Sequence, residues 1–260
     1  MRELQFILWR LNYDDMHLVR WIFALVIAVF FMSCSEKDEV EKITVTIPVD
    51  KDSTQTPLYD TTINYLALGD SYTIGESVDS ANRWPSQLAS MLTDSLGAEV
   101  ALQFIARTGW TTDELNAGID AASLNEPYNL VSLLIGVNNV YRGRSVSGFI
   151  PEFEVLLERA IGFAKNDRNR VFVVSIPDYG YTPFGQSNQP QISARLAMYN
   201  QAIDSVCASY GISDIYITDI SEDGLNQPNL VAGDGLHPSG TQYGLWVERI
   251  YPAVKEKLRL

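Results

Sequence analysis

Residues 63–71 read Ile63-Asn64-Tyr65-Leu66-Ala67-Leu68-Gly69-Asp70-Ser71, a short apolar run that breaks at a glycine and delivers a hydroxyl two residues later. Its length and its turn-forming boundary argue for a buried strand. Gly69 permits a sharp backbone path, so Ser71 falls on the first turn beyond a strand terminus, where a nucleophile would stand.

Runs of the same kind recur outward from this one. Residues 98–106 (AEVALQFIA), 129–136 (NLVSLLIG), 170–177 (RVFVVSIP) and 214–220 (DIYITDI) supply four more strand candidates, the last two rich in β-branched residues. Between and after them lie helical patterns over 83–96, with Pro85 near its start, 112–121, opened by Thr111 or Thr112, 147–165, 191–209 and 240–258. Strand and helix alternate five times. Strands buried on both faces and joined by crossover helices make a parallel sheet, because right-handed connections put helices on its two faces. The expected fold is α/β: a three-layer α/β/α sandwich on a five-stranded parallel sheet, one domain over residues 62–260. Sheets of this class bind ligands beyond the carboxyl ends of their strands. Function therefore belongs to the loops that follow the strands.

A serine hydroxyl needs a base, and the only imidazole after residue 17 is His237. It sits in Asp234-Gly235-Leu236-His237, where the carboxylate three residues upstream can bond one ring nitrogen and stabilise the imidazolium. Donors for an oxyanion should follow other strands. Arg107-Thr108-Gly109-Trp110 offers the Gly109 backbone N–H, and Gly136-Val137-Asn138-Asn139 offers the Asn138 amide. Asp70 is read as a brace for its turn.

These blocks, in order and each after a strand or in the last loop, resemble those of the SGNH hydrolases, also called GDSL esterases and lipases. The resemblance covers roughly residues 62–258 and implies a flavodoxin-like sheet. It implies Ser71 as nucleophile, His237 as base and then acid, Asp234 as its orienter, and the N–H groups of Ser71 and Gly109 with Asn138 as the oxyanion hole. No metal or organic cofactor is implied. Two positions depart from the usual pattern: Tyr72 stands where the family's name has Leu, and Asn139 where many members have Asp. Trp110, Asn139, Tyr141, Arg142 and Tyr179 are the candidates for a substrate pocket, and the aromatic stretch Asp178–Phe184 follows the fourth strand. The implied activity is hydrolysis of an acyl or acetyl ester, on an acetylated glycan, a short-chain ester or a lysophospholipid. The alternative from another class is a non-catalytic carbohydrate-binding protein on the same fold.

Composition narrows the field further. The 260 residues are 46% hydrophobic and 20% charged, enough to bury a core without disulfides. A formal charge of −13 opposes binding to phosphate backbones, which excludes nucleic acid as a partner. Two histidines, His17 and His237, and two cysteines, Cys34 and Cys207, cannot build a multi-imidazole metal site, a zinc cluster or an iron–sulfur centre. Cys207 lies in a helical pattern and reads as a packed thiol.

The first part of the chain reads as an address. The run Trp21–Met32 is too short to span a membrane but has the length of a secretory leader's apolar core. Asp14 and Asp15 are foreign to such a leader, so Met16 is the expected true start. Phe31-Met32-Ser33-Cys34 resembles a bacterial lipobox, which implies removal of residues 1–33 and lipidation of Cys34. Residues 34–61 are charged and rich in Ser, Thr and Pro, and read as a flexible tether with an r.m.s. span of roughly 30 Å. The protein is thus expected to be secreted across the inner membrane as an outer-membrane or cell-surface lipoprotein, with membrane contact only through its lipid. Its partner would be a small-molecule or glycan ester.

Overall fold

The computed structural model describes residues 59–124 and 127–259. The expected leader, Cys34 and most of the expected tether lie outside the described residues. At the near end of that tether, Tyr59 bridges to Arg259 and the Asp60 carboxylate lies 2.5 Å from the Arg170 guanidinium.

Five strands, β1 (Thr62–Gly69), β2 (Glu99–Ala106), β3 (Leu130–Leu134), β4 (Val171–Val174) and β5 (Asp214–Ile215), form one parallel sheet in the order β2-β1-β3-β4-β5. The helices are α1 (Ser71–Ile74), α2 (Trp84–Leu96), α3 (Thr112–Ala121), α4 (Val137–Tyr141), α5 (Val146–Phe163), α6 (Gln189–Tyr210), α7 (Thr218–Ser221) and α8 (Gly240–Lys257). The chain moves one way from β1 to β2 and the other way from β2 to β3. Right-handed crossovers in opposite directions put their helices on opposite faces. Accordingly α2 packs with α8, while α3 and α6 pack against α5.

Burial explains the strand composition. All five residues of β3 are buried, and its one polar side chain, Ser132, shares a 2.9 Å hydrogen bond with the Tyr65 hydroxyl on β1. A buried hydroxyl without such a partner would cost stability. The five long helices match the sequence patterns to within two residues at each end, and α3 is opened by Thr111, whose backbone N–H donates to the Glu114 carboxylate at 2.9 Å.

One strand is far shorter than its sequence suggests. DIYITDI pairs only at Asp214 and Ile215, and residues 218–221 turn into α7. The ladder ends because side chains take over the backbone groups: Ile217 N–H donates to Ser175 Oγ at 2.8 Å, and the Thr218 hydroxyl donates to the Ile176 carbonyl at 2.8 Å. Among the described residues no helix is long and apolar enough to cross a membrane.

Candidate active site

The strand register brings three loops to one level. Gly69 lies opposite Ala106 on β2 and Leu134 on β3, so the chain leaves three adjacent strands side by side. The winding reverses between β1 and β3, where open α/β sheets form their binding crevice.

The first loop folds back tightly. A Cβ on Gly69 would come within 2.2 Å of Thr73 Oγ1 and 2.5 Å of the Leu134 carbonyl oxygen, so close approach demands glycine here. Asp70 caps α1 by accepting the Tyr72 N–H at 3.0 Å, which bears out its role as a brace, and Ser71 is the first residue of α1. Burial pushes the Asp70 carboxyl up to about 7, against hydrogen bonds from Tyr72 N–H, its own N–H and the Asn138 amide.

The second and third loops are stitched together. Gly109 has φ +87°, a left-handed torsion, and its carbonyl accepts Arg142 Nη2 at 2.7 Å. Asn138 Nδ2 donates to the Trp110 carbonyl at 2.9 Å and lies 3.4 Å from Asp70 Oδ2. Asn139 accepts the Thr112 N–H at 3.2 Å and donates to Thr112 Oγ1 at 2.7 Å.

The fourth loop carries Asp234 and His237 on a turn closed by the Val231–Pro238 bridge. His237 Nδ1 lies 2.6 Å from Asp234 Oδ2. Oδ1 accepts the N–H groups of Leu236 and His237 at 2.9 and 3.0 Å, and the Ser77 hydroxyl donates to Oδ2 at 2.7 Å. Burial would raise this carboxyl, but the hydrogen bonds from Ser77, His237 and the two backbone N–H groups outweigh it and hold Asp234 well below the usual carboxylate range. The His237 ring meets the buried Tyr72 edge-on, with centroids 5.6 Å apart.

Ser71, Gly109, Asn138 and His237 share the wall of one cavity of about 290 Å³ with Tyr72, Thr108, Val137 and Leu236. Tyr141, Tyr179 and Phe184 complete it as a cluster of rings with centroids 6.2–6.5 Å apart. Tyr141 and Phe184 are 62% and 51% exposed, whereas Tyr179 is buried.

Of the expected pocket residues, Tyr141 and Tyr179 line the cavity, while Trp110, Asn139 and Arg142 do not. The Trp110 indole packs on Gly118, where a Cβ would meet it at 2.1 Å. Asn139 is fully buried and committed to Thr112, and Arg142 is committed to Gly109 and to Glu114 Oε1 at 3.0 Å. Phe184, from the aromatic stretch that follows the fourth strand, also lines it, whereas Tyr72, Thr108, Val137 and Leu236 are not among the expected pocket residues, although each stands within or beside a quoted block. Ser77 carries no such signal. Among the described residues no group of three His, Cys, Asp or Glu side chains gathers to hold a metal ion. Cys207 is buried, and burial pushes its thiol up to about 12.

In comparisons with known proteins, residues 67–245 match the family model for GDSL-like lipase/acylhydrolase proteins. Similar solved structures include a lipase/acylhydrolase from Enterococcus faecalis, with 20% identity and a TM-score of 0.61 over 76% of this chain and 97% of that one. Axe2, an acetylxylan esterase from Geobacillus stearothermophilus, has 14% identity and a TM-score of 0.60 over 76% of this chain and 96% of its own. The psychrotrophic esterase EstA from Pseudoalteromonas sp. has 18% identity and a TM-score of 0.57, covering 76% and 98%. No curated protein matches the chain in sequence.

Proposed function

Because the chain belongs to the GDSL-like lipase/acylhydrolase family, we propose that it hydrolyses carboxylic esters through a covalent acyl-enzyme on Ser71. The observation that carries this reading is the single cavity shared by Ser71, Gly109, Asn138 and His237, with Asp234 bonded to His237 Nδ1. Asp234 occupies Nδ1, which leaves Nε2 to take the Ser71 proton. Ser71 Oγ bonds the carbonyl carbon, and the alcohol departs with the proton that His237 returns. Water then attacks the acyl carbon, gives a proton to His237, and the acid leaves as Ser71 regains its hydrogen.

Negative charge on the carbonyl oxygen is met by the N–H groups of Ser71 and Gly109 and by Asn138 Nδ2. One Asn138 proton points to the Trp110 carbonyl at 2.9 Å and orients the amide. The other, on the long 3.4 Å contact to Asp70, is the one we assign to the oxyanion.

The exposed rings of Tyr141 and Phe184 favour an ester whose alcohol half presents a flat face, and an acetylated glycan fits that description. Axe2, of similar fold, is named for such a substrate. We further propose that the protein is exported and anchored through a lipid on Cys34; the apolar run 21–32 ending two residues before that cysteine supports this. Loss of labelling by fatty acid in Cys34→Ala tests the anchor.

The deciding experiment is hydrolysis of p-nitrophenyl esters from acetate to long acyl, by the protein and its Ser71→Ala variant. Ser71-dependent turnover confined to short acyl groups supports the acetyl esterase, and a long-chain preference points to lipid substrates. Silence of both proteins across the series, with retention on immobilised glycans, favours the binding protein instead.

A further inference from the structure

The Asp234 carboxylate has a partner that the ester chemistry above does not use. Ser77 donates its hydroxyl to Asp234 Oδ2 at 2.7 Å, across 157 residues, on the oxygen that also faces His237 Nδ1 at 2.6 Å. The other oxygen takes two backbone N–H groups. A carboxylate has about four acceptor directions, so all of those on Asp234 are used and its plane cannot turn without breaking one.

Ser77 also adopts φ +65°, a left-handed torsion that costs free energy for any residue bearing a Cβ. The residue is exposed, so no core packing offsets that cost. Strain of this kind persists at sites that use it. The bond it makes is the compensating contact visible there.

Its position in the chain matters equally. The Ser71 carbonyl accepts the N–H groups of Gly75 and Glu76, each at 3.0 Å, so the residue just before Ser77 is tied to the nucleophile's own backbone. The connection runs from Ser71 through the turn to Ser77, then to Asp234 and the His237 ring. We propose that Ser77 is a positioning residue that locks Asp234, and through it the His237 ring, relative to Ser71. This rests on the esterase reading given above.

Ser77→Gly separates positioning from mere structure. Glycine removes the hydroxyl and accepts the left-handed torsion, so the thermal midpoint should hold or rise. We expect kcat on p-nitrophenyl acetate to fall roughly tenfold with KM unchanged, because a His237 ring no longer held on line takes the Ser71 proton less readily. A purely structural Ser77 would lower the midpoint on loss of its hydrogen bond and leave kcat alone. Proton NMR of the full chain gives a readout independent of turnover. The low-field His237 Nδ1–H signal, identified by its loss in His237→Gln, should be present in the parent and lost or broadened in Ser77→Gly. An active parent whose Ser77→Gly variant keeps both the parental kcat and the signal overturns the assignment. If the parent shows no Ser71-dependent turnover, the esterase reading fails and the NMR signal alone decides the role of Ser77.

Discussion

Truncation of Arg142 to alanine tests whether the loops bearing Gly109 and Asn138 act as one preorganised unit. The guanidinium donates to the Gly109 carbonyl at 2.7 Å and to Glu114 Oε1 at 3.0 Å, and Glu114 Oε2 accepts the Thr111 N–H at 2.9 Å. Arg142 and Glu114 side chains are 42% and 38% exposed, so screening leaves the ion pair itself at most a few tenths of a kcal/mol. The bond to the Gly109 carbonyl is the larger part, about 1 kcal/mol at such exposure. If that bias keeps the Gly109 loop aimed, its loss lowers the ratio of aimed to misaimed loop roughly fivefold, and the competent population by up to that factor. The expected result is a kcat on p-nitrophenyl acetate lower by about two- to fivefold with KM little changed, because Arg142 does not line the cavity. The thermal midpoint should drop by roughly 2–4 °C. Lysine supplies charge without the planar fork and should rescue only in part. Losses from Arg142→Ala and Asn138→Ala should be non-additive, since both act on the oxyanion donors. A large rise in KM with kcat intact would mean that Arg142 touches substrate, and an unchanged kcat with a lower midpoint would reduce it to a surface brace.

Removing the Asn138 amide in Asn138→Ala should cost roughly a hundred- to a thousandfold in kcat, and near-parental turnover would refute its oxyanion role. The buried Asp70 carboxyl keeps its proton up to about pH 7 in the native state, whereas in the unfolded chain it ionises near its ordinary value, about 4. Between those values the native state binds more protons, so this group makes stability fall as pH rises through the window, and denaturant midpoints of Asp70→Asn should decline less steeply there than those of the parent. The same slope in both proteins would contradict it. Asp234, held below its ordinary value, acts with the opposite sign at lower pH, adding stability that disappears as acid protonates it. Removal of the exposed rings in Tyr141→Ala/Phe184→Ala should raise KM severalfold for acetylated oligosaccharides while sparing kcat on p-nitrophenyl acetate; equal effects on both substrates would count against a ring-stacking surface.

Legibility followed distance along the chain. The Asp234-to-His237 contact spans three residues of one turn, and it was read correctly from spacing alone. The Tyr65-to-Ser132 bond and the level ends of β1, β2 and β3 could not be read, because they depend on how parallel strands register. Arg142 illustrates the intermediate case. Its place after the third strand put it near the cleft, yet whether it faced a substrate or a backbone carbonyl depended on a loop 33 residues away. The same applies to Trp110, whose indole found a gap over Gly118 and not the cavity. The fifth strand is present but short for a different reason: the β-branched run pairs at Asp214 and Ile215, and beyond them the Ser175 and Thr218 hydroxyls take over the backbone groups.

From the amino-acid sequence alone came the alternation of buried strands and amphipathic helices, the parallel sheet, and the four blocks that hold Ser71, Gly109, Asn138, Asp234 and His237. Those features rest on periodicity and turn chemistry, which neighbours within a few residues set. Only the tertiary structure decided the strand order β2-β1-β3-β4-β5, the reversal that opens a cavity between β1 and β3, and the contacts from Ser77 to Asp234 and from Arg142 to Gly109. These join groups distant in sequence, and their geometry is set by the direction of winding and the common level at which three strands end.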